Sequence, residues 1–524
     1  MATELAPDAP ASARRGGLAG PFPVVGFLGA LLIAVTAPTW RLAFIGTHEP
    51  WRLTLPGVPS NGTRPFTAIA FLAGVVALGV AWLGLIARLE RSAAPARDRM
   101  RTVLATALLW FAPVMLGPPL LSSDVYSYAA EGAMVTQHHD PTSQDMAKLR
   151  FGYLAHVDPV WRSSLGNPYG PVQMGASAAI VKVAGNDYDA AIWGFRFLAL
   201  GGVLLSVWGI AEIARHYGVS PPVAVAIGIA NPIAVLHLVG GAHNDALLMG
   251  LLCTGFAFAL RRRFWLGVAF MALATAVKLP AAAGIVYLAW CHPGARAALK
   301  ERVRLVAHAL AVATGLIATL CLVVGISFGW VLAMKNSGIT TGTLSFTTRS
   351  GYVFASLLRT VGLPAHDATW IGLFRIAGLG VAAYLCLRLL GLAVRIGPVA
   401  ATGLCLLAVM LLGPVVWPWY LGPAFALLGA TRLGRWRASV LVLCALFAAE
   451  VLPVGVKSKP VLEGNHFVSV LVILLIAAVT FAAPLAVERW HDGDHPVVDR
   501  GPARSAQPDR AGVQRRRSRL SRSP

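Results

Sequence analysis

Gly240-Gly-Ala-His-Asn-Asp-Ala-Leu-Leu-Met-Gly-Leu-Leu-Cys-Thr-Gly-Phe-Ala-Phe-Ala-Leu-Arg-Arg-Arg263 decides how the whole chain is read. Its middle is an unbroken apolar run, which marks a membrane-crossing helix. One end carries an arginine triplet, the usual mark of a cytoplasmic boundary. The other end carries His243, Asn244 and Asp245 side by side. Runs of the same kind recur along the chain. Spans are predicted to begin near Pro21, Phe66, Thr102, Ala190, Pro221, Ala246, Phe264, Ala281, Val303, Thr369, Pro398, Val415, Ala438 and Phe467, or about 14 crossings of roughly 20 residues each.

Composition agrees with this reading. The chain has 524 residues, 56% of them hydrophobic and only 13% charged, against about 25% charged in soluble domains. A soluble enzyme, a disordered chain and a disulfide-stapled secreted scaffold are excluded. The six cysteines show no CxxC spacing and read as small buried hydrophobes. There is no P-loop, Rossmann fingerprint, HExxH or GxSxG, so nucleotide-driven chemistry and a zinc protease are unsupported. The expected fold class is therefore all-α and polytopic. A short tail (residues 1–20) precedes the membrane domain (21–489), and a basic tail (490–524) follows it.

The net charge of +21 is unevenly spread. From Arg500 onward there are eight arginines and one acid, in a stretch whose composition cannot form a core. This reads as a tail lying against anionic lipid rather than as a nucleic-acid arm. Arginine bias in short loops places residues 88–101, 261–263, 296–304 and 432–437, and both termini, on the cytoplasmic side of a plasma membrane. Residues 122–168 then face outward. Counting crossings from there to Arg215 makes Gly170–Ala184 an interfacial or re-entrant helix rather than a span. Asn61-Gly62-Thr63 is a weak glycosylation match.

Five polar motifs stand out. In Leu121-Ser-Ser-Asp-Val-Tyr-Ser-Tyr-Ala-Ala-Glu-Gly132, Ser122 or Ser123 caps a short amphipathic helix at the membrane surface. Asp124, Tyr128 and Glu131 share one of its faces; Tyr126 lies on the same helix. Asp124 reads equally as a first-turn acid and as a base able to take a proton from an attacking hydroxyl. His243, Asn244 and Asp245 exceed what a helix cap requires, and boundary ionisable groups usually have a purpose. Lys278, beside a helix-breaking proline in Val277-Lys-Leu-Pro280, needs an anion: a phosphate, Asp124 or Asp245. Trp417, Trp419 and Tyr420 in Val416-Trp-Pro-Trp-Tyr420 form either an interfacial aromatic belt or a stacking surface for sugar. Tyr169, in Asn167-Pro-Tyr-Gly-Pro171, belongs to a rigid turn or lines a pocket. The outer loops also carry Lys335, Arg349, Arg359, Lys457 and Lys459, a basic excess that a phosphate ligand would explain. Asp124 and Asp245 together could hold a divalent ion, although no ligand spacing demands one.

Taken together and in this order, these motifs resemble the actinobacterial polyprenol-phosphomannose-dependent α-1,6-mannosyltransferases, which are GT-C glycosyltransferases. The resemblance covers about Pro21 to Arg489. It implies a polytopic, GT-C-like fold with a catalytic acid on the first large outer loop. It implies transfer of mannose from a polyprenyl-phosphomannose donor to an α-1,6-mannan or mannosylated lipid acceptor, as in lipomannan and lipoarabinomannan synthesis. Carried onto this chain, the general base is Asp124. His243, Asn244 and Asp245 orient the acceptor or the base. Lys278 and Arg349, with Lys457 or Lys459, hold the donor phosphate. A sugar already on a lipid phosphate carries its own leaving group, so no cofactor is required, and a β donor giving an α product means one inverting displacement. A transporter or flippase is the competing class, and a GT-C enzyme using another sugar is the competing substrate.

Overall fold

The computed structural model describes residues 20–36, 65–146, 152–157, 159–162, 167–185, 187–339, 344–448 and 465–494. Asn61, Lys457, Lys459, most of the outer segments 41–65 and 453–466, and the arginine-rich stretch from Arg500 lie outside them. The described residues form helices and turns, with no strand among them. Each predicted span start falls in or beside a helix. Among the described residues, six helices are long and apolar enough to cross a membrane: Ile69–Arg91, Ala96–Leu116, Tyr188–His216, Leu299–Val324, Asp367–Ile396 and His466–Leu485. The chain is an all-α polytopic membrane protein. Its last helix, His466–Asp494, continues past residue 489.

The remaining apolar helices are shorter, for a local reason. Asn231-Pro232 ends the helix Pro221–Ile229; the Asn231 amide donates to the Ile227 and Gly228 carbonyls, and its oxygen accepts from the Ala234 amide. A π-helical turn, Ala234–Val239, follows. Such turns are rare and often lie beside functional residues. Phe264–Thr275 and Ala282–Cys291 are separated by the break at Lys278-Leu-Pro280, because proline cannot continue the hydrogen-bond ladder.

Lipid tails are as apolar as leucine, so membrane helices associate through close backbone packing at small residues. Tyr188–Tyr217 and Asp245–Leu260 do so along their length. A Cβ on Gly202 would lie 2.5 Å from the Ala246 carbonyl, and one on Gly250 would lie 2.3 Å from the Gly202 carbonyl oxygen. At the far end Glu212 bonds Arg215 and lies 3.6 Å from Arg261. The seam runs from the arginine triplet to the His243–Asp245 cluster, so it fixes where that cluster stands.

Neighbouring glycines on this helix should therefore respond with opposite signs. Gly202→Ala must force the two backbones apart and should destabilise by about 1–3 kcal/mol. Gly201 has nothing within 4 Å of its Cβ position; Gly201→Ala should stabilise by up to about 1 kcal/mol through helix propensity. Melting of the detergent-purified variants measures both.

Candidate active site

Two loops form the site. The backbone N–H of Leu120 donates to the Gly240 carbonyl at 3.0 Å and joins them directly. Leu121 and Ala242, one on each loop, have φ of +62° and +54°. A non-glycine residue in this region is strained and is held there by its surroundings, a condition common at functional sites. The join brings the start of helix Asp124–Thr136 to the start of helix Asp245–Leu260.

The Asp124 N–H donates to the Ser122 hydroxyl at 3.1 Å, so Ser122 supplies the side-chain cap and Ser123 does not. An Asp124 carboxylate oxygen lies 3.5 Å from His243 Nδ1; the imidazole is wholly buried, while the Asp124 side chain keeps 23% exposure. Burial acts to raise the Asp124 carboxyl. Contact with His243, the charge of Lys278 and the Ser122 hydroxyl outweigh it and hold the group below the usual carboxylate range. Asp124 is thus an ionised carboxylate with access to solvent.

The helix carrying Asp124 is packed more deeply than a surface helix. Every residue from Val125 to Met134 is buried, because Pro171–Ala184, Tyr188–Tyr217 and the turn Gly152–His156 cover it. A Cβ on Gly132 would lie 2.5 Å from the Ser177 carbonyl oxygen, so only glycine allows that contact. Tyr126 belongs to the buried apolar cluster that also holds Val125 and Phe195. Glu131 is buried yet lines a cavity with Asp124. The cavity is open to solvent, with about 40 Å³ of free space within it. Ser127, Gln144, Trp161, Asn167 and Tyr169 also line it.

Lys278 finds its anion within the protein. Its Nζ donates to Asp245 Oδ2 at 2.8 Å, and both side chains are buried. The ammonium also lies 4.3 Å from the centre of the Tyr420 ring and 5.4 Å from that of Tyr169, a favourable cation–π setting. The turn Asn167–Pro171 docks on the break that carries Lys278. Gly170 N–H donates to the Val277 carbonyl and Val172 N–H to that of Ala276. Gly170 has to be glycine there, since a Cβ would lie 2.4 Å from the Ala276 oxygen. Tyr169 is both structural and pocket-lining, and its ring meets that of Tyr128 edge-on at 5.2 Å.

Trp419 is neither a belt residue nor an open sugar platform. It is 3% exposed and stacks on the His243 ring at 3.8 Å and 13°. Trp417, partly exposed, stacks on Trp419 at 4.9 Å. Three parallel rings thus lead from the surface to the Asp124 contact. Asn244 is buried beside His243, and neither amide atom has a hydrogen-bond partner among the described residues.

Arg349 is not gathered around Asp124. It is buried on helix Phe346–Thr360, where Nη1 meets His466 Nδ1 at 2.9 Å, and His466 stacks on Tyr352. Its helix reaches the site indirectly, through Ser345, Thr347 and Thr348 hydroxyls that donate to the Gly413 and Pro414 carbonyls ahead of Trp417. Arg359 pairs with Asp367. Asp245 bonds Lys278 and Asp124 contacts His243, so each acid faces a base rather than a shared ion site. Among the described residues no group of three or more His, Cys, Asp and Glu side chains is placed to hold a metal. Sequence reasoning missed Asn167, Ser127 and Trp161 as cavity residues, and also Arg196, buried within helix Tyr188–Tyr217 with Nη1 bonded to the Met115 carbonyl. The turn signal at Asn167 and the isolated arginine in an apolar run were the available hints.

Removing one member of the Lys278–Asp245 pair strands a buried charge. Lys278→Ala should destabilise by about 3–5 kcal/mol, whereas Lys278→Met combined with Asp245→Asn should recover most of that loss. Thermal melting of the three proteins in detergent tests this; a double variant no more stable than Lys278→Ala would contradict the pairing.

Comparison with known proteins agrees with the geometry. Residues 23–294 match the family described as Alpha-(1->6)-mannopyranosyltransferase, N-terminal domain, and residues 347–486 match the MptB C-terminal domain. Alpha-(1->6)-mannopyranosyltransferase A of Mycobacterium tuberculosis is 29% identical over 80% of this chain and 82% of its own length. Alpha-(1->6)-mannopyranosyltransferase B of Corynebacterium glutamicum is 30% identical over 82% of this chain and 76% of its own. No solved structure matches. The chain belongs to the alpha-(1->6)-mannopyranosyltransferase family.

Proposed function

We propose that this protein transfers mannose from polyprenyl-phosphomannose to an α-1,6-mannan acceptor, as in building lipomannan and lipoarabinomannan, at the extracytoplasmic face of the plasma membrane. The observation that carries the proposal is Asp124: an ionised, partly exposed carboxylate on the wall of an open cavity, backed by a buried imidazole. An inverting displacement needs one base. As the acceptor oxygen bonds to the anomeric carbon, its proton passes to Asp124 and the bond to the phosphate oxygen breaks. The polyprenyl phosphate leaves with the electron pair. We assign to its charge the bases behind Asp124, His243 and Lys278. A lipid-phosphate donor supplies the leaving group, so the reaction needs no nucleotide.

The seam supports this choice of membrane side. Helix Asp245–Leu260 has the site at its start and runs into Arg261-Arg262-Arg263. Its 16 residues extend for about 24 Å. Positive charge favours the cytoplasm, which supports a site opening on the other side; the arginines near both ends of the chain support cytoplasmic termini.

Membranes bearing the protein, supplied with labelled polyprenyl-phosphomannose and a short α-1,6-mannoside, should elongate the mannoside. Asp124→Asn should lower the rate by 10²-fold or more, the usual contribution of a positioned base, while inserting in equal amount. Unchanged turnover in that variant would remove Asp124 from the mechanism. Movement of the donor across vesicles without a new glycosidic bond would point to a flippase. Elongation from a different polyprenyl-phosphate sugar would correct the donor.

A further inference from the structure

The cavity and the bases differ in chemistry, and Asp124 touches both. Two carboxyl groups, Asp124 and Glu131, line the cavity, and among the described residues no lysine, arginine or histidine does. Among the described residues, a phosphate placed there would meet acids and no cation in the lining. The remaining polar lining consists of hydroxyl and amide groups, including Ser127, Gln144 and Asn167, beside the rings of Trp161 and Tyr169. Such a wall suits an uncharged polyhydroxylated ring, with hydrogen bonds to its edges and aromatic faces against its C–H patches.

Glu131 is the unusual member of this wall. It is 5% exposed, and its Oε2 is buried with no hydrogen-bond partner among the described residues. A buried polar atom left unpaired is costly and calls for an explanation. The Gly132–Ser177 contact fixes the helix so that the preceding residue faces the cavity.

We propose that this cavity is the acceptor subsite and that Glu131 determines its specificity, its carboxyl group hydrogen-bonding a hydroxyl of the incoming sugar so that a second hydroxyl reaches Asp124. The inference rests on the transferase reading and adds to it the place and the means of acceptor recognition. Burial first, and the Asp124 charge second, push the Glu131 carboxyl well above the usual carboxylate range, against the opposing Asn167 side chain. A neutral carboxyl can both donate to and accept from a hydroxyl, which a carboxylate cannot. It also adds no second negative charge beside Asp124. Two carboxyls driven apart in this way divide the work between them: one takes the proton and the other holds the sugar.

The test measures binding and turnover separately on the full-length protein in detergent and in membranes. Glu131→Gln keeps a neutral donor and acceptor and should hold the KM for a short α-1,6-mannoside within about threefold of wild type. Glu131→Ala should raise that KM, and weaken binding of the mannoside to the purified protein, by about tenfold, the effect of one hydrogen bond. It should leave the KM for polyprenyl-phosphomannose and the binding of polyprenyl phosphate unchanged. Among acceptors lacking one hydroxyl each, one should bind wild type about tenfold more weakly and bind Glu131→Ala with no further loss. Equal mannoside affinity in wild type and Glu131→Ala would overturn the proposal. So would a loss that falls on polyprenyl phosphate, or a wild-type protein that binds polyprenyl phosphate but no mannoside. A protein that binds both ligands and transfers nothing would refute the reaction and leave the subsite standing.

Discussion

A lysine ammonium enclosed by membrane helices has to meet a negative group, and Lys278 meets Asp245 at 2.8 Å. Much of the site's geometry depends on that requirement. Lys278 can reach Asp245 because the proline at 280 opens the backbone between two short helices. The opened backbone in turn offers the Ala276 and Val277 carbonyls, and the turn carrying Tyr169 docks on them. Asp245 opens its own helix, two residues after His243, so fixing the acid fixes the imidazole. Asp124 then contacts a ring whose position was set by an ion pair in which it takes no part.

Aromatic rings keep this arrangement dry. Tyr420 and Tyr169 cover the Lys278 ammonium, and Trp419 lies flat on His243. Excluding water lowers the local dielectric and strengthens each charge interaction. It also means that the dipoles need little reorganisation when charge moves during reaction. Asp124, still partly exposed, is where this dry interior meets the open cavity.

The architecture was largely legible in the sequence. Apolar runs, arginine clusters and prolines act within about 20 residues of chain, so span starts, the break at Lys278 and the helix opening at Asp124 could all be read locally. The short helix Gly170–Ala184, expected not to cross, is the 14-residue Pro171–Ala184 helix covering Asp124–Thr136. What could not be read was which distant residues meet. Lys278 had three candidate anions, and only the fold brings Asp245 to it. The alternation around Asp124 suggested a half-exposed helix, but two other helices bury its second face. Trp419 read as a belt or a sugar platform because its partner ring lies 176 positions earlier in the chain. Arg349 shared a charge argument with Lys278 and proved to belong to a different cluster, bonded to His466.

The stack on His243 also bears on how this chain can be divided. Asp124, His243, Asp245 and Lys278 all lie within residues 23–294, matched to one family description, whereas Trp417, Trp419 and Tyr420 lie within residues 347–486, matched to another. The first region contains the acids, the lysine and the histidine of the central cluster, yet Trp419, which covers His243, and Tyr420, one of the two rings over Lys278, come from the second. Neither region is a module that carries the site alone. The boundary that sequence comparison draws between them runs through the middle of one aromatic stack, so substitutions on either side of it have to be accommodated by the other.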